Sequence, residues 1–173
     1  MDQISTAASK LSQTNIYIDD TTSITVTGMK AKLRRMKNLG LVVIDYLQLM
    51  QSDRRNDNRV QEVAEISRNM KILAKELRVP VICCAQLSRG PESRTDKRPM
   101  LSDLRDSGAI EQDADVVMFL YRDEYYNTDK TAQSAAEIIV AKNRHGAVRN
   151  VDIGWLPQYT KFITLDKTNM EQA

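Results

Sequence analysis

Leu41-Val42-Val43-Ile44-Asp45 sets four apolar residues in a row and ends them on a carboxylate. A half-exposed strand alternates apolar and polar residues. This run does not, and that pattern fits a strand buried on both faces, as in a parallel sheet. Downstream, Gln51 to Asn58 is a polar loop, and Asp57 or Asn58 then starts the strongest helix in the chain. Val60, Val63, Ile66, Met70, Leu73 and Leu77 recur at steps of three and four, with Glu62, Glu65, Arg68, Lys71 and Lys75 between them. Val79-Pro80-Val81-Ile82 opens a second buried strand, with Pro80 near its start, where a missing amide is tolerable. Strand, helix, strand is the unit of an α/β domain.

Upstream, Thr25 or Thr27 is placed to cap a helix running to about Asn38, with Met29, Leu33 and Met36 on one face and Gly40 as its stop. Asn15-Ile16-Tyr17-Ile18 is a short β-type run closed by Asp19-Asp20. Further on, Leu87 to Arg105 is long and irregular, and such loops in compact domains carry function or are disordered. Val116 to Tyr121 forms a third buried strand. Glu137 to Lys142 and Val148 to Ile153 form a hairpin around Asn143-Arg144-His145-Gly146, and Lys161 to Leu165 is the last strand. There is no internal repeat. Residues 1–166 are expected to form one domain, and 167–173 a polar, frayed tail.

Composition narrows the class. With 42% hydrophobic and 28% charged residues, the 173-residue chain has the make-up of a water-soluble globular domain. No apolar run reaches the roughly 18 residues of a membrane span. Met1 to Leu11 lacks the long apolar stretch of a signal peptide, so a cytoplasmic protein with no membrane partner is expected. The net charge of +2 is too mild to argue for nucleic acid by itself. Cys83 and Cys84 are adjacent in an apolar run, and two buried free thiols are expected, with neither a disulfide framework nor metal-ligand spacing.

Four features carry chemistry. The apolar strand ending in Asp45 has the form of a Walker B element, because strands of an α/β sheet open their carboxyl ends onto the ligand crevice, where a carboxylate can hold Mg2+ directly or through water. Gln86 ends the next strand, placed to reach a γ-phosphate or an attacking water. Either residue alone is common at a strand end; the pair on helix-linked strands is more telling. Lys142 and Arg144 sit at the tip of the hairpin, where each can meet a phosphate oxygen, although a solvated basic turn has the same composition. His145, the lone histidine, decorates that turn. The long loop brings Arg89, Arg94, Lys97, Arg98 and Arg105 into Asp106-Ser107-Gly108, groups suited to a nucleic-acid backbone. It has no aromatic residue for base stacking, so sequence readout is not indicated.

Taken in order, Asp45-Tyr46-Leu47-Gln48-Leu49-Met50, Glu62-Val63-Ala64-Glu65-Ile66-Ser67-Arg68, Gln86-Leu87-Ser88-Arg89, Ser107-Gly108-Ala109-Ile110-Glu111-Gln112-Asp113-Ala114-Asp115 and Lys142-Asn143-Arg144 resemble the motor domain of bacterial hexameric replicative DNA helicases of the DnaB type. The likeness extends from about Asn15 to Asp166. It implies a RecA-like α/β fold, with a largely parallel central sheet flanked by helices and a C-terminal antiparallel hairpin. It also implies a homohexamer around single-stranded DNA with ATP and Mg2+ between neighbouring subunits, and a helicase loader and primase as partners. On this resemblance Asp45 organises Mg2+ and Gln86 senses the γ-phosphate. Lys142 and Arg144 reach into the next subunit's nucleotide, and Arg105, Asp106, Gly108 and Arg89 hold the DNA backbone. The family has Glu where this chain has Asp106.

One departure is large. The phosphate-binding loop G-x-x-x-x-G-K-[ST] is absent, since none of the six glycines is followed by lysine. Against the family pattern, the chain starts after the strand that carries this loop and after the strand that ends in the catalytic base Glu. Feeble ATP binding and uncovered apolar sheet edges that favour self-association are therefore expected. Two further readings stand beside the motor: a non-catalytic truncated paralogue that enters helicase rings or binds a loader, and another RecA-like ATPase.

Overall fold

A computed structural model of the chain describes residues 2–53, 58–104, 108–126 and 135–165. In chain order the elements are α1 (Asp2–Ser12), α2 (Val26–Leu33), β1 (Val42–Ile44), α3 (Arg59–Leu77), β2 (Val81–Cys83), α4 (Gly90–Ser93), α5 (Gly108–Asp113), β3 (Val116–Tyr121), β4 (Ala135–Asn143), β5 (Arg149–Leu156) and β6 (Lys161–Thr164).

The helix with the clearest apolar period is the scaffold. Asn58 caps α3, its side chain accepting from the amide of Val60 at 2.9 Å. Val63, Ile66, Met70 and Leu73 are buried on one face against Val42 and Ile44 of β1, Val26 and Met29 of α2, and Leu47 and Met50 beyond β1. Each fully buried aliphatic side chain contributes about 1.5–3 kcal/mol, so this stripe positions the strand end that carries Asp45. Arg78 closes the helix in the left-handed conformation, φ 55°, with an amide bond back to Ala74. A second cluster, Leu104, Val117 and Phe119, is bordered by Leu87, Leu101 and Ile139. Ile110 of α5 packs on both clusters and joins them.

β1 and β2 pair in parallel, Val42 opposite Val81 and Ile44 opposite Cys83. The larger sheet is antiparallel, in the order β3-β4-β5-β6. The expected hairpin is β4–β5, with Ile139 opposite Asn150, and it is extended on either side by β3 and β6. Among the described residues no strand joins β2 to β3, so the two sheets remain separate and each has open edges.

Several sequence expectations are corrected. The apolar strands are covered on one face only: Val42 and Ile44 are buried while Val43 is 59% exposed, and β3 buries Val117, Phe119 and Tyr121 but exposes Met118 and Leu120. Among the described residues α2 and α3 pack on one side of β1, and no second layer covers the other. Asn15 to Ile18 is not a strand, because an extended segment needs a neighbour to complete its backbone hydrogen bonds and none among the described residues pairs with it. The helix capped by Thr25 ends at Leu33, short of Asn38. Its last amides tighten to i−3 bonds, and Asn38, not Gly40, takes the left-handed turn. Cys84 is exposed, since alternation on β2 and the residues after it turns Cys83 toward the core and Cys84 away. The helix α1, exposed along the side chains described, has no counterpart in the sequence reading.

The long segment after β2 is closed at its neck. Leu87 and Leu104 form an antiparallel bridge, and the Ser88 amide donates to the Asp103 carbonyl at 2.8 Å. Arg94 forks onto the Asp103 carboxylate at 2.7 and 2.6 Å, and the Met100 amide donates to the same group. Asp103 also faces Gly90, where a Cβ would come within 2.8 Å of its oxygen, so only glycine fits there without displacement.

Candidate nucleotide and nucleic-acid site

The parallel pair places Asp45 one residue beyond β1 and Gln86 three residues beyond β2, on the same side of neighbouring strands. The backbone ladder continues past the strands: the Cys84 amide donates to the Ile44 carbonyl and the Leu47 amide to the Cys84 carbonyl, each at 2.9 Å. Both Asp45 and Gln86 are exposed. The Asp45–Tyr46 peptide is cis.

Gln48 fixes the position of Gln86. Its side-chain oxygen Oε1 accepts from the Gln86 backbone amide at 3.1 Å, and its side-chain Nε2 donates to the Gln86 backbone carbonyl at 3.3 Å. Leu47, 2% exposed, anchors the short turn that carries Gln48, and the Arg59 guanidinium donates to the Gln48 carbonyl. The sequence reading assigned Gln48 no role. Its one trace was a polar residue amid the apolar Leu47, Leu49 and Met50.

Lys142 and Arg144 form a second group. Lys142 is not at the hairpin tip: it pairs with Val117 within β4, and its ammonium donates to the carbonyls of Glu111 and Gln112 at the end of α5. Unsatisfied carbonyls at a helix end attract a cation, and this accounts for its inward course. Arg144 lies just beyond the strand and is exposed. Its amide donates to the Asp115 carbonyl at 2.8 Å, and one guanidinium nitrogen lies 3.4 Å from the Asp115 carboxylate. Lys71 of α3 hydrogen-bonds the other carboxylate oxygen. That bond holds the Asp115 carboxyl below its ordinary range, with the charges of Lys71 and Arg144 adding to it against partial desolvation. Among the described residues no hydrogen bond or ion pair joins this group to Asp45 or Gln86.

Of the loop residues, Arg89 is exposed beside α4, and Gly108 opens α5 with nothing within 4 Å of where a Cβ would stand. Arg105 and Asp106 lie outside the described residues. Arg94 and Arg98 serve the fold: Arg98 pairs with Glu137 at 2.6 Å and lies 5.0 Å over the Tyr121 ring. A cleft of about 120 Å³ between α2 and α3 contains none of the expected site residues and is well below the 300–1,000 Å³ common for ligand pockets. Among the described residues no three His, Cys, Asp or Glu side chains converge as a metal cage, and none of the helices is long and apolar enough to cross a membrane. A lone exposed carboxylate such as Asp45 fits a Mg2+ that keeps most of its ligands as water and phosphate oxygens.

The profile of the DnaB-like helicase C terminal domain family matches residues 1–164. Over 169 residues the chain is 54% identical to the replicative DNA helicase DnaB of Geobacillus stearothermophilus, covering 95% of this chain and 37% of that protein. The replicative DNA helicase DnaC of Bacillus subtilis is 53% identical with the same coverage of 95% and 37%. The chain thus spans little more than a third of these curated relatives. Among solved structures, the ATPase domain of G40P superposes with a TM-score of 0.90 at 42% identity, covering 95% of this chain and 60% of that one. A DnaB-like replicative helicase, described with its interactions with primase, gives a TM-score of 0.90 at 42% identity, covering 95% and 42%.

Proposed function

Because the chain belongs to the DnaB-like helicase C-terminal domain family, we propose that it is part of an ATP-driven motor that moves along single-stranded DNA and separates duplex at a replication fork. The observation that carries this reading is that Asp45 and Gln86 follow the carboxyl ends of two adjacent parallel strands, with Gln48, three residues after Asp45, bracing the backbone of Gln86. Asp45 would hold Mg2+ through its waters, and Gln86 would meet the terminal phosphate of ATP. Arg144, exposed and apart from that pair, acts on the nucleotide of the next subunit in a homohexamer, stabilising charge on the transferring phosphoryl group. Lys142, two residues before it in β4, shares that role. Arg89, Arg105, Asp106 and Gly108 line the path of the DNA backbone. A helicase loader and primase are partners of the intact assembly.

The grip on ATP is incomplete in these 173 residues, which lack G-x-x-x-x-G-K-[ST]. Loop amides and lysine supply most of the hold on β- and γ-phosphates. The chain by itself is therefore expected to bind ATP weakly and not to turn it over. The exposed apolar faces of β1 and β3 support a second reading, a non-catalytic module that joins helicase rings.

A chimera separates the two. Residues 1–164 replace the corresponding segment of full-length Geobacillus DnaB, which supplies the remainder of the motor. The motor reading expects ATP-dependent unwinding that Asp45→Ala abolishes. A chimera that assembles into rings and binds ATP yet does not hydrolyse it would leave the non-catalytic reading standing.

A further inference from the structure

Asp115 stands between two cations. One carboxylate oxygen accepts from Lys71 of α3, and the other faces Arg144 at 3.4 Å. The side chains of Asp115 and Arg144 are 46% and 47% exposed, and an ion pair at that exposure adds little to stability. What the arrangement supplies is direction. Residue 115 holds Arg144 twice, through the amide-to-carbonyl bond at 2.8 Å and through the side chain. A guanidinium has five N–H donors in a fixed plane, and among the described residues the side chain of Arg144 has only this one contact at 3.4 Å, which leaves donors for another acceptor. Lys71 matters to the same end. Because it already satisfies the carboxylate, Arg144 is aligned without being neutralised, and the trio keeps an excess of positive charge.

The geometry points to Asp115 as the positioning residue for Arg144, with Lys71 as its counter-cation. Two features tie this trio to the rest of the motor. Asp115 follows α5, whose last carbonyls hold Lys142, so both basic residues of the second group are set by one short stretch, 111–115. That stretch follows in sequence residues 105–108, which the proposed function places along the DNA path. The inference rests on the reading of Arg144 as a trans-acting group.

The test uses the full-length chimera with Asp115→Asn, Asp115→Glu, Arg144→Ala and the Asp115→Asn/Arg144→Ala double variant. Single-stranded-DNA-stimulated ATP hydrolysis is measured, with melting temperature and ring assembly followed in parallel. Asp115→Asn should lower kcat about tenfold while the KM for ATP stays within about twofold, because a transition-state contact is lost and ground-state binding is not. Asp115→Glu should recover most of that loss. On the Arg144→Ala background, Asp115→Asn should cost less than about twofold more, as expected when one residue acts through the other. Should Asp115→Asn not fold, Asp115→Ser carries the same expectation. An unchanged or raised kcat for the Asp115 variants, or an equal loss on both backgrounds, overturns the inference while leaving Arg144 in place. If Arg144→Ala itself hydrolyses ATP normally, the trans-acting reading fails and this inference falls with it.

Discussion

The side chain of Gln48 brackets the peptide of Gln86, accepting from its amide at 3.1 Å and donating to its carbonyl at 3.3 Å. Gln48 follows Asp45 by three residues, so the segment leaving the first parallel strand carries the brace for the residue ending the second. A change at the Asp45 end of the first strand can therefore be transmitted to Gln86 through the Gln48 side chain.

Gln48→Leu removes both hydrogen bonds. Each is worth about 0.5–1.5 kcal/mol net, so a loss of roughly 1–3 kcal/mol is expected in the geometry of the site or in stability. In the chimera we expect kcat for ATP hydrolysis to fall about tenfold with little change in nucleotide affinity. Gln48→Glu, which keeps only the acceptor, should lie between. Steady-state kinetics with a parallel melting curve checks this, and wild-type kcat in Gln48→Leu would remove Gln48 from any positioning role.

The Arg94–Asp103 clasp sets an acid limit on the loop. Hydrogen bonds from Arg94 hold the Asp103 carboxyl below its ordinary value of 3.8. With the folded pKa below the unfolded one, the contribution to stability is fully present above pH 3.8 and is lost as pH falls through the folded value. Melting temperature should therefore drop on acidification below that point, and Asp103→Asn should flatten this limb while lowering stability at neutral pH. An acid limb unchanged by Asp103→Asn would refute the assignment.

Among the described residues, none comes within 4 Å of where a Cβ on Gly108 would stand. Gly108→Ala should leave stability within about 0.5 kcal/mol of wild type. If Gly108 is there for close approach of a phosphate backbone, the same change should weaken single-stranded DNA binding in a titration at fixed salt. Unaltered affinity would exclude it from the DNA path.

The two cysteines should differ in reactivity. Burial pushes the Cys83 thiol up to about 11, whereas Cys84 is exposed. Because the thiolate is the nucleophile, iodoacetamide at pH 8 should modify Cys84 first and reach Cys83 only after unfolding in urea. Peptide mass spectrometry of a brief labelling reads this out, and equal labelling of both in the folded protein would contradict it.

What the amino-acid sequence by itself determined is local. The three-and-four spacing from Val63 to Leu73 gave α3, the unbroken apolar run gave β1 with Asp45 at its end, and Asn143 to Gly146 marked the turn between β4 and β5. These rest on neighbours along the chain, whose period shows in the residues themselves. The chain alone did not show which faces are covered, because an apolar run records a capacity for burial and not the presence of a covering layer. Nor did it show the polar links that set the candidate site. Gln48 and Gln86 lie 38 positions apart, and Lys71 and Asp115 lie 44 apart. Such pairs leave no periodic trace, since they meet only when α3 and the two sheets have packed. Packing also turned Lys142 from a hairpin-tip cation into one held by the end of α5, leaving Arg144 as the exposed member of that pair.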